Sequence, residues 1–182
     1  MIRIFEAFAG YGSQSIALER IKEKFPTFEY KIVGISEIDE TPIKAYNVLH
    51  ENVKNYGDIK NINWDSVPEF DLFTYSFPCT DISMIGKKLG LDEGSGTRSA
   101  LLWECKRAIE KKKPKYLLME NVKALTYKNN IDNFNSWIKY LESLGYHNYY
   151  KVLNAKDFNV PQNRERVFMI SMLEDNLGGG ER

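Results

Sequence analysis

Cys79 stands behind a proline at the end of an apolar run, in YSFPCTDIS (75–83). A thiol at such a place can fill a core, as cysteines often do, or attack a substrate once deprotonated. Cys105, inside the amphipathic stretch SALLWECKRAI, fits the core. Cys79 differs, because Pro78 restricts Phe77 and sets a turn that would present the thiol beyond a strand end. A loop amide or a nearby cation there would lower its pKa. Glu120 closes a second apolar run, YLLMENV (116–122). Partial desolvation would raise its pKa and suit it to donate a proton, although a capping or loop carboxylate is the plain alternative. Arg164 and Arg166, in QNRER, could hold a carbonyl oxygen and a carboxylate, or serve only as surface charges. Neither His50 nor His147 lies near a cysteine in sequence, so a protease-like dyad is not indicated.

A second set of residues has the character of a nucleoside site. Gly10 and Gly12, in FAGYG (8–12), would let the backbone approach a ligand closely. A dinucleotide fingerprint asks for a third glycine where this chain has Ser15. That argues against pyrophosphate and suits a nucleoside cofactor without phosphates, such as S-adenosylmethionine. A tight turn with no ligand is the alternative. Glu37 could accept from both ribose hydroxyls and Asp58 from an adenine amino group. Each residue taken alone reads equally as a solvated strand end or a turn aspartate.

These residues need elements to hold them, and the chain alternates strand and helix. IRIFEAF (2–8) reads as a strand, SQSIALERIKEK as a helix and YKIVGISEI (30–38) as a strand. Thr41 and Pro42 look like the cap and first position of a helix running toward His50. A short third strand is expected to end near Gly57, Asp58 and Ile59. DLFTYSF (71–77) reads as a buried strand followed by a glycine-punctuated loop. SALLWECKRAIEKKK is an amphipathic helix stopped by Pro114, and YLLMENV a further buried strand. A helix from about Ile131 to Leu144 closes at Gly145, and YYKVLNA and RVFMISM are the final strands. Strand–helix alternation with short connections implies a doubly wound, mostly parallel α/β sheet. Such sheets bind ligands at the carboxyl ends of their strands, which gathers the candidates on one rim beside strand one.

Composition narrows the classes. The 182 residues suffice for one sizeable core, and 25 basic residues balance 25 acidic ones. Any nucleic-acid contact must come from a local basic face. No apolar run approaches membrane-span length, and MIRIFEAFAGYG lacks the parts of a signal peptide. The two cysteines have no metal-ligand spacing, so no metal is expected, and a reducing, cytoplasmic setting is the natural reading. Residues 1–174 read as one catalytic and cofactor-binding domain, and residues 175–182 as a flexible tail or the start of a linker.

The motifs together resemble the catalytic domain of cytosine-C5 DNA methyltransferases. FAGYGS (8–13), SEID (36–39), GDI (57–59), FPCTDIS (77–83), ENV (120–122) and QNRERVF (162–168) follow the family's order and span nearly the whole chain. The resemblance implies a Rossmann-like, S-adenosylmethionine-dependent fold. It assigns Phe8, Gly10, Gly12 and Pro78 to shaping the cofactor and base pockets, Glu37 to ribose, and Asp58 with Ile59 to adenine. Cys79 would attack carbon 6 of cytosine, Glu120 would hydrogen-bond or protonate ring nitrogen 3, and Arg164 would steady the exocyclic oxygen. Arg166, Gln162, Asn121 and Val122 would support the pocket. The target base would be flipped out of DNA, with Ser83, Lys87, Lys88 and Arg98 in a loop that closes over phosphates.

The chain departs from the family in places. Thr80 stands where glutamine is usual, Ile38 must pack on adenine where an aromatic is common, and Ser13 replaces a common glycine. In the family a recognition region follows QxRxR, whereas this chain stops at GGGER. The reading is therefore one subunit of a split methyltransferase whose second polypeptide supplies recognition, a truncated form, or a complete chain with another device for finding substrate. A catalytically silent S-adenosylmethionine-binding remnant and an RNA cytosine-C5 methyltransferase are the alternatives in function.

Overall fold

The strand IRIFEA is buried on both faces from Ile4 onward, which a strand flanked by parallel neighbours requires. A computed structural model describes residues 1–50, 53–77, 100–128 and 130–174 of the chain. Two compact units divide it: Met1–Ser76 with Glu104–Pro114, and Phe77–Trp103 with Lys115–Arg182.

In the first unit β1 (Ile2–Ala7) lies between β2 (Tyr30–Ser36) and β3 (Leu72–Tyr75), parallel to both. The register aligns Ala7 with Ser36 and with Tyr75, so the carboxyl ends of the three strands are level. The sheet order around β1 is thus the one expected, with DLFTYSF beside strand one. Helix α1 (Ser13–Lys24) follows β1, and α2 (Glu40–Leu49) follows β2.

One face of β1 sends Phe5 into an aromatic cluster. Its ring packs edge-on to Trp64 at 5.2 Å and lies 5.5 Å from Phe70, while Phe73 stacks on Phe70 and on Tyr75. Helix α3 (Ala100–Lys112) belongs to this unit from Glu104 onward and buries Cys105, Ala108 and Ile109, one helical stripe. Lys112 donates to the Val67 carbonyl and pairs with Glu69, which ties the helix to the segment before β3.

The other face of β1 carries Glu6, which is fully buried. Ser15 Oγ and Tyr46 OH both donate to its Oε2, at 3.0 and 3.1 Å, while Oε1 has no partner. Burial pushes the Glu6 carboxyl above its ordinary 4.5, and the two hydroxyl donors only partly oppose this. Tyr46 is pushed up by burial and by the Glu6 charge, so its phenol stays a donor.

The second unit is antiparallel. Strand β6 (Glu165–Leu173) pairs with β4 (Tyr116–Val122) on one side and β5 (Tyr146–Asn154) on the other. Burial along β4 alternates, with Leu117, Met119 and Asn121 inward. Helix α4 (Ile131–Ser143) buries Phe134, Trp137 and Leu141, and the Phe134 ring meets Tyr150 edge-on at 4.9 Å.

Three expectations need correction. The cap of α2 is Asp39, whose side chain accepts from Thr41 N, and Pro42 is the third helical residue. Proline is tolerated there because the first-turn N–H groups have no helical acceptor. Among the described residues no strand ends at Gly57; a single parallel bridge joins Ile35 to Asn55, and a 3-10 turn, Ile59–Asn61, follows. The β2 strand stops at Ser36 rather than at residue 38, because Glu37 folds back onto the amides of Ile38 and Asp39.

Two outcomes follow from this packing. Phe73→Ala should cost about 3–5 kcal/mol in urea unfolding, against less than about 0.5 kcal/mol for Phe25→Ala on the surface. The raised carboxyl of Glu6 contributes stability below its unfolded-state value and loses it as pH rises through the folded value. Urea midpoints at about pH 5 and about pH 8 should therefore show Glu6→Gln gaining on the wild type at the higher pH.

Candidate cofactor turn and carboxylate–arginine pair

The chain leaves β1 through a reversal that few residues tolerate. Phe8 has φ 57°, Gly10 φ 57° and Gly12 φ 85°, so the left-handed region is visited three times in five residues. For Phe8 this is strain, of the kind that surrounding contacts must hold in place. Gly12 N donates to the Ala9 carbonyl, Ala9 N to Ser36 O, and Ile16 N back to Gly12 O, where α1 begins. A Cβ built on Gly10 meets nothing within 4 Å, so the turn is open on that side.

Glu37 closes the turn from β2. Its Oε2 accepts from Gly10 N at 2.9 Å, and its Oε1 accepts from Ile38 N and Asp39 N at 2.8 and 3.0 Å. The strand-one glycine and the strand-two acid, chosen separately from the sequence, are therefore hydrogen-bonded. Asn55 fastens the next segment to them: its Oδ1 accepts from Glu37 N and Gly57 N, and its Nδ2 donates to Glu37 O. Ser36 Oγ adds a 2.7 Å bond to Gly57 O. Asp58 follows and caps the 3-10 turn by accepting from Lys60 N.

Around this frame the candidates divide. Ile38 is 71% exposed beside the acid, an apolar side chain with no packing of its own. Ile59 is buried at 2%, so only its backbone remains available to a ligand. An open glycine turn, a carboxylate at its edge and an exposed isoleucine next to it suit a ribose and an adenine face. These residues are compatible with a nucleoside cofactor.

In the second unit, Arg166 Nε donates to Glu120 Oε1 at 3.0 Å, both side chains being about one fifth exposed at 23% and 22%. The register explains the pair, since Val122 faces Arg166 and Glu120 faces Phe168, placing all four on one side of the ladder. Glu120 therefore has a cation partner in addition to partial burial. Lys123 and Glu165 form a second pair beside it. Asn121, on the opposite side and 3% exposed, donates from Nδ2 to Phe77 O and accepts from Val122 N.

Arg164 and Gln162 are exposed on the β5–β6 connection. Asn154 holds that connection. Its Oδ1 accepts from Arg164 N and Lys156 N, and its Nδ2 donates to Asn163 Oδ1. Neither Asn55 nor Asn154 was singled out by sequence. The only signal was an asparagine two residues before Gly57, and one at a strand end before a loop.

Pro78, Cys79, Ser83, Lys87, Lys88 and Arg98 lie outside the described residues, as does the expected tail. Among the described residues, no cluster of three or more metal-ligating side chains occurs, and no helix is long and apolar enough to cross a membrane.

Comparison with known proteins covers nearly the whole chain. A family model of C-5 cytosine-specific DNA methylase matches residues 2–178. The type II methyltransferase M2.ScrFI of Lactococcus lactis subsp. cremoris is 46% identical over 97% of this chain and 62% of its own length. The orphan methyltransferase M.SssI of Spiroplasma monobiae is 37% identical over 96% and 60% respectively. The chain thus spans about three fifths of the length of these curated relatives. Among solved structures, the Dnmt2 methyltransferase of S. pombe superposes with a TM-score of 0.72 at 20% identity, covering 96% of this chain and 50% of its own. The Entamoeba histolytica methyltransferase EhMeth gives 0.69 at 19%, covering 95% and 53%. These two likenesses bear on the α/β fold, and the family follows from the sequence match: the chain belongs to the C-5 cytosine-specific DNA methylases.

Proposed function

We propose that this chain carries the cofactor-binding and catalytic part of a DNA cytosine-C5 methyltransferase. The observation that most supports the reading is the Glu120–Arg166 pair, which joins the ENV and QNRERVF motifs at the level of side chains. The turn of residues 8–12 with Glu37, Ile38 and Asp58 would hold S-adenosyl-L-methionine, which when bound supplies an electrophilic methyl group. Its ribose hydroxyls would meet Glu37, and adenine would lie against Ile38, with Asp58 and the Ile59 backbone at its edge.

In this reading the thiolate of Cys79 bonds to carbon 6 of a flipped cytosine, with Pro78 shaping the pocket. The ring electrons then move to carbon 5, while Glu120 hydrogen-bonds or protonates nitrogen 3. Carbon 5 would take the methyl group, leaving the sulfonium donor as a neutral thioether. Carbon 5 then loses its proton to solvent or base, any proton on nitrogen 3 returns to Glu120, and the thiolate departs as the ring double bond re-forms. Arg164 steadies the exocyclic oxygen, Arg166 orients Glu120, and Asn121, Val122 and Gln162 complete the walls. Ser83, Lys87, Lys88 and Arg98 would contact phosphates. The part of the relatives' length that this chain does not match would supply target recognition, as a continuation or as a second polypeptide.

The test is transfer of a labelled methyl group from S-adenosylmethionine to unmethylated mixed-sequence DNA, with RNA as the parallel acceptor. Cys79→Ser should abolish transfer, and Glu120→Gln should slow it on the order of 10²- to 10⁴-fold. Transfer to RNA alone would reassign the substrate. Cofactor binding with no transfer, even when the unmatched part of a relative is added, would mark a silent remnant.

A further inference from the structure

Helix α2 reaches back to the glycine turn through two residues that no motif contains. The His50 Nε2 lies 3.0 Å from the Tyr11 carbonyl oxygen. A carbonyl only accepts, so Nε2 carries the proton and donates. The His50 ring packs on Tyr46 with centroids 4.4 Å apart. Tyr46 in turn donates to the buried Glu6 on β1, where Ser15 from α1 donates to the same oxygen. The last turn of α2 and its capping residue His50 therefore grip the strand before the glycine turn, the turn itself, and the helix after it.

Gly12 fits this grip in a second way. A Cβ at that position would overlap His50 Nε2 and stand 2.8 Å from Tyr46 Cε2. The glycine is required by the closeness of α2 as well as by its φ of 85°. Ser15 also acquires a reason. It stands where a dinucleotide fingerprint has glycine, and its hydroxyl is one of the two donors to an otherwise unpaired buried acid.

We infer that Tyr46 and His50 are positioning residues for cofactor binding: they hold the strained turn of residues 8–12 in its ligand-ready form through the Tyr11 carbonyl and the Gly12 contact. The inference rests on the reading of this turn as the cofactor site. Preorganisation raises affinity by removing an ordering cost at binding. Their contacts are with the glycine turn and the elements on either side of it, so the inferred effect falls on cofactor affinity.

Glutamine can place an amide N–H where the imidazole places Nε2–H, and alanine cannot. In equilibrium dialysis with S-adenosylmethionine, His50→Ala should weaken binding about tenfold, the effect of one hydrogen bond of about 1.4 kcal/mol. His50→Gln should recover most of that loss. Unchanged binding in His50→Ala, or equal loss in both variants, overturns the inference. A second readout needs no cofactor: amide hydrogen exchange at Gly10 and Gly12, whose N–H groups are bonded to Glu37 and Ala9. His50→Ala should exchange faster there than wild type and His50→Gln should not, with the core amides of β1 unchanged in both. Equal exchange in all three proteins overturns the brace. Wild type that exchanges slowly yet binds no S-adenosylmethionine overturns the functional reading and leaves the brace standing.

Discussion

A carboxylate offers about four positions at which to accept hydrogen bonds, and Glu37 fills three of them with backbone amides. That one side chain ends β2, starts the approach to α2 and anchors the turn that ends β1. The strained φ of Phe8 and the left-handed glycines are held in part by this anchor, with Asn55 behind it. A neutral amide in its place would bring a donor face toward amides that need acceptors. The site in the first unit is in this sense a set of backbone groups organised around one anion.

The second unit solves a different problem with a different device. An antiparallel ladder puts alternate residues on opposite faces, so the chain can offer polar side chains on one face and a packed apolar layer on the other. Met119 and Leu117 are buried on one face while Glu120 meets Arg166 on the other. The connection carrying Arg164 has little packing of its own and depends on Asn154, whose amide uses both its oxygen and its nitrogen. Side-chain amides bridging backbone groups recur here, at Asn55, Asn121 and Asn154.

Much of this was legible from sequence because it is local. Strand β4 and helix α1 fall where the sequence reading put them, since apolar periodicity and their flanking glycine or proline are encoded within the segment itself. The motifs also led to the right family, and Cys105 is buried as expected. What stayed hidden is non-local. Nothing about residues 39–42 distinguishes Asp39 from Thr41 as the cap until the backbone is traced. Glu6 looked like an ordinary strand residue, and its burial depends on hydroxyls 9 and 40 positions away. His50 reads from sequence only as a helix end remote from the cysteines, and its carbonyl partner is 39 positions back. Hydrogen bonds between distant side chains and backbone have no period to detect.

The alternation of β4 has an evolutionary corollary. Because side chains change face at every step, inserting or deleting one residue within the strand would exchange Glu120 with Met119 or Asn121. A carboxyl would be driven onto the buried face and a buried anchor or core residue turned outward. A length change in β4 would therefore separate Glu120 from Arg166 even where every residue type survives.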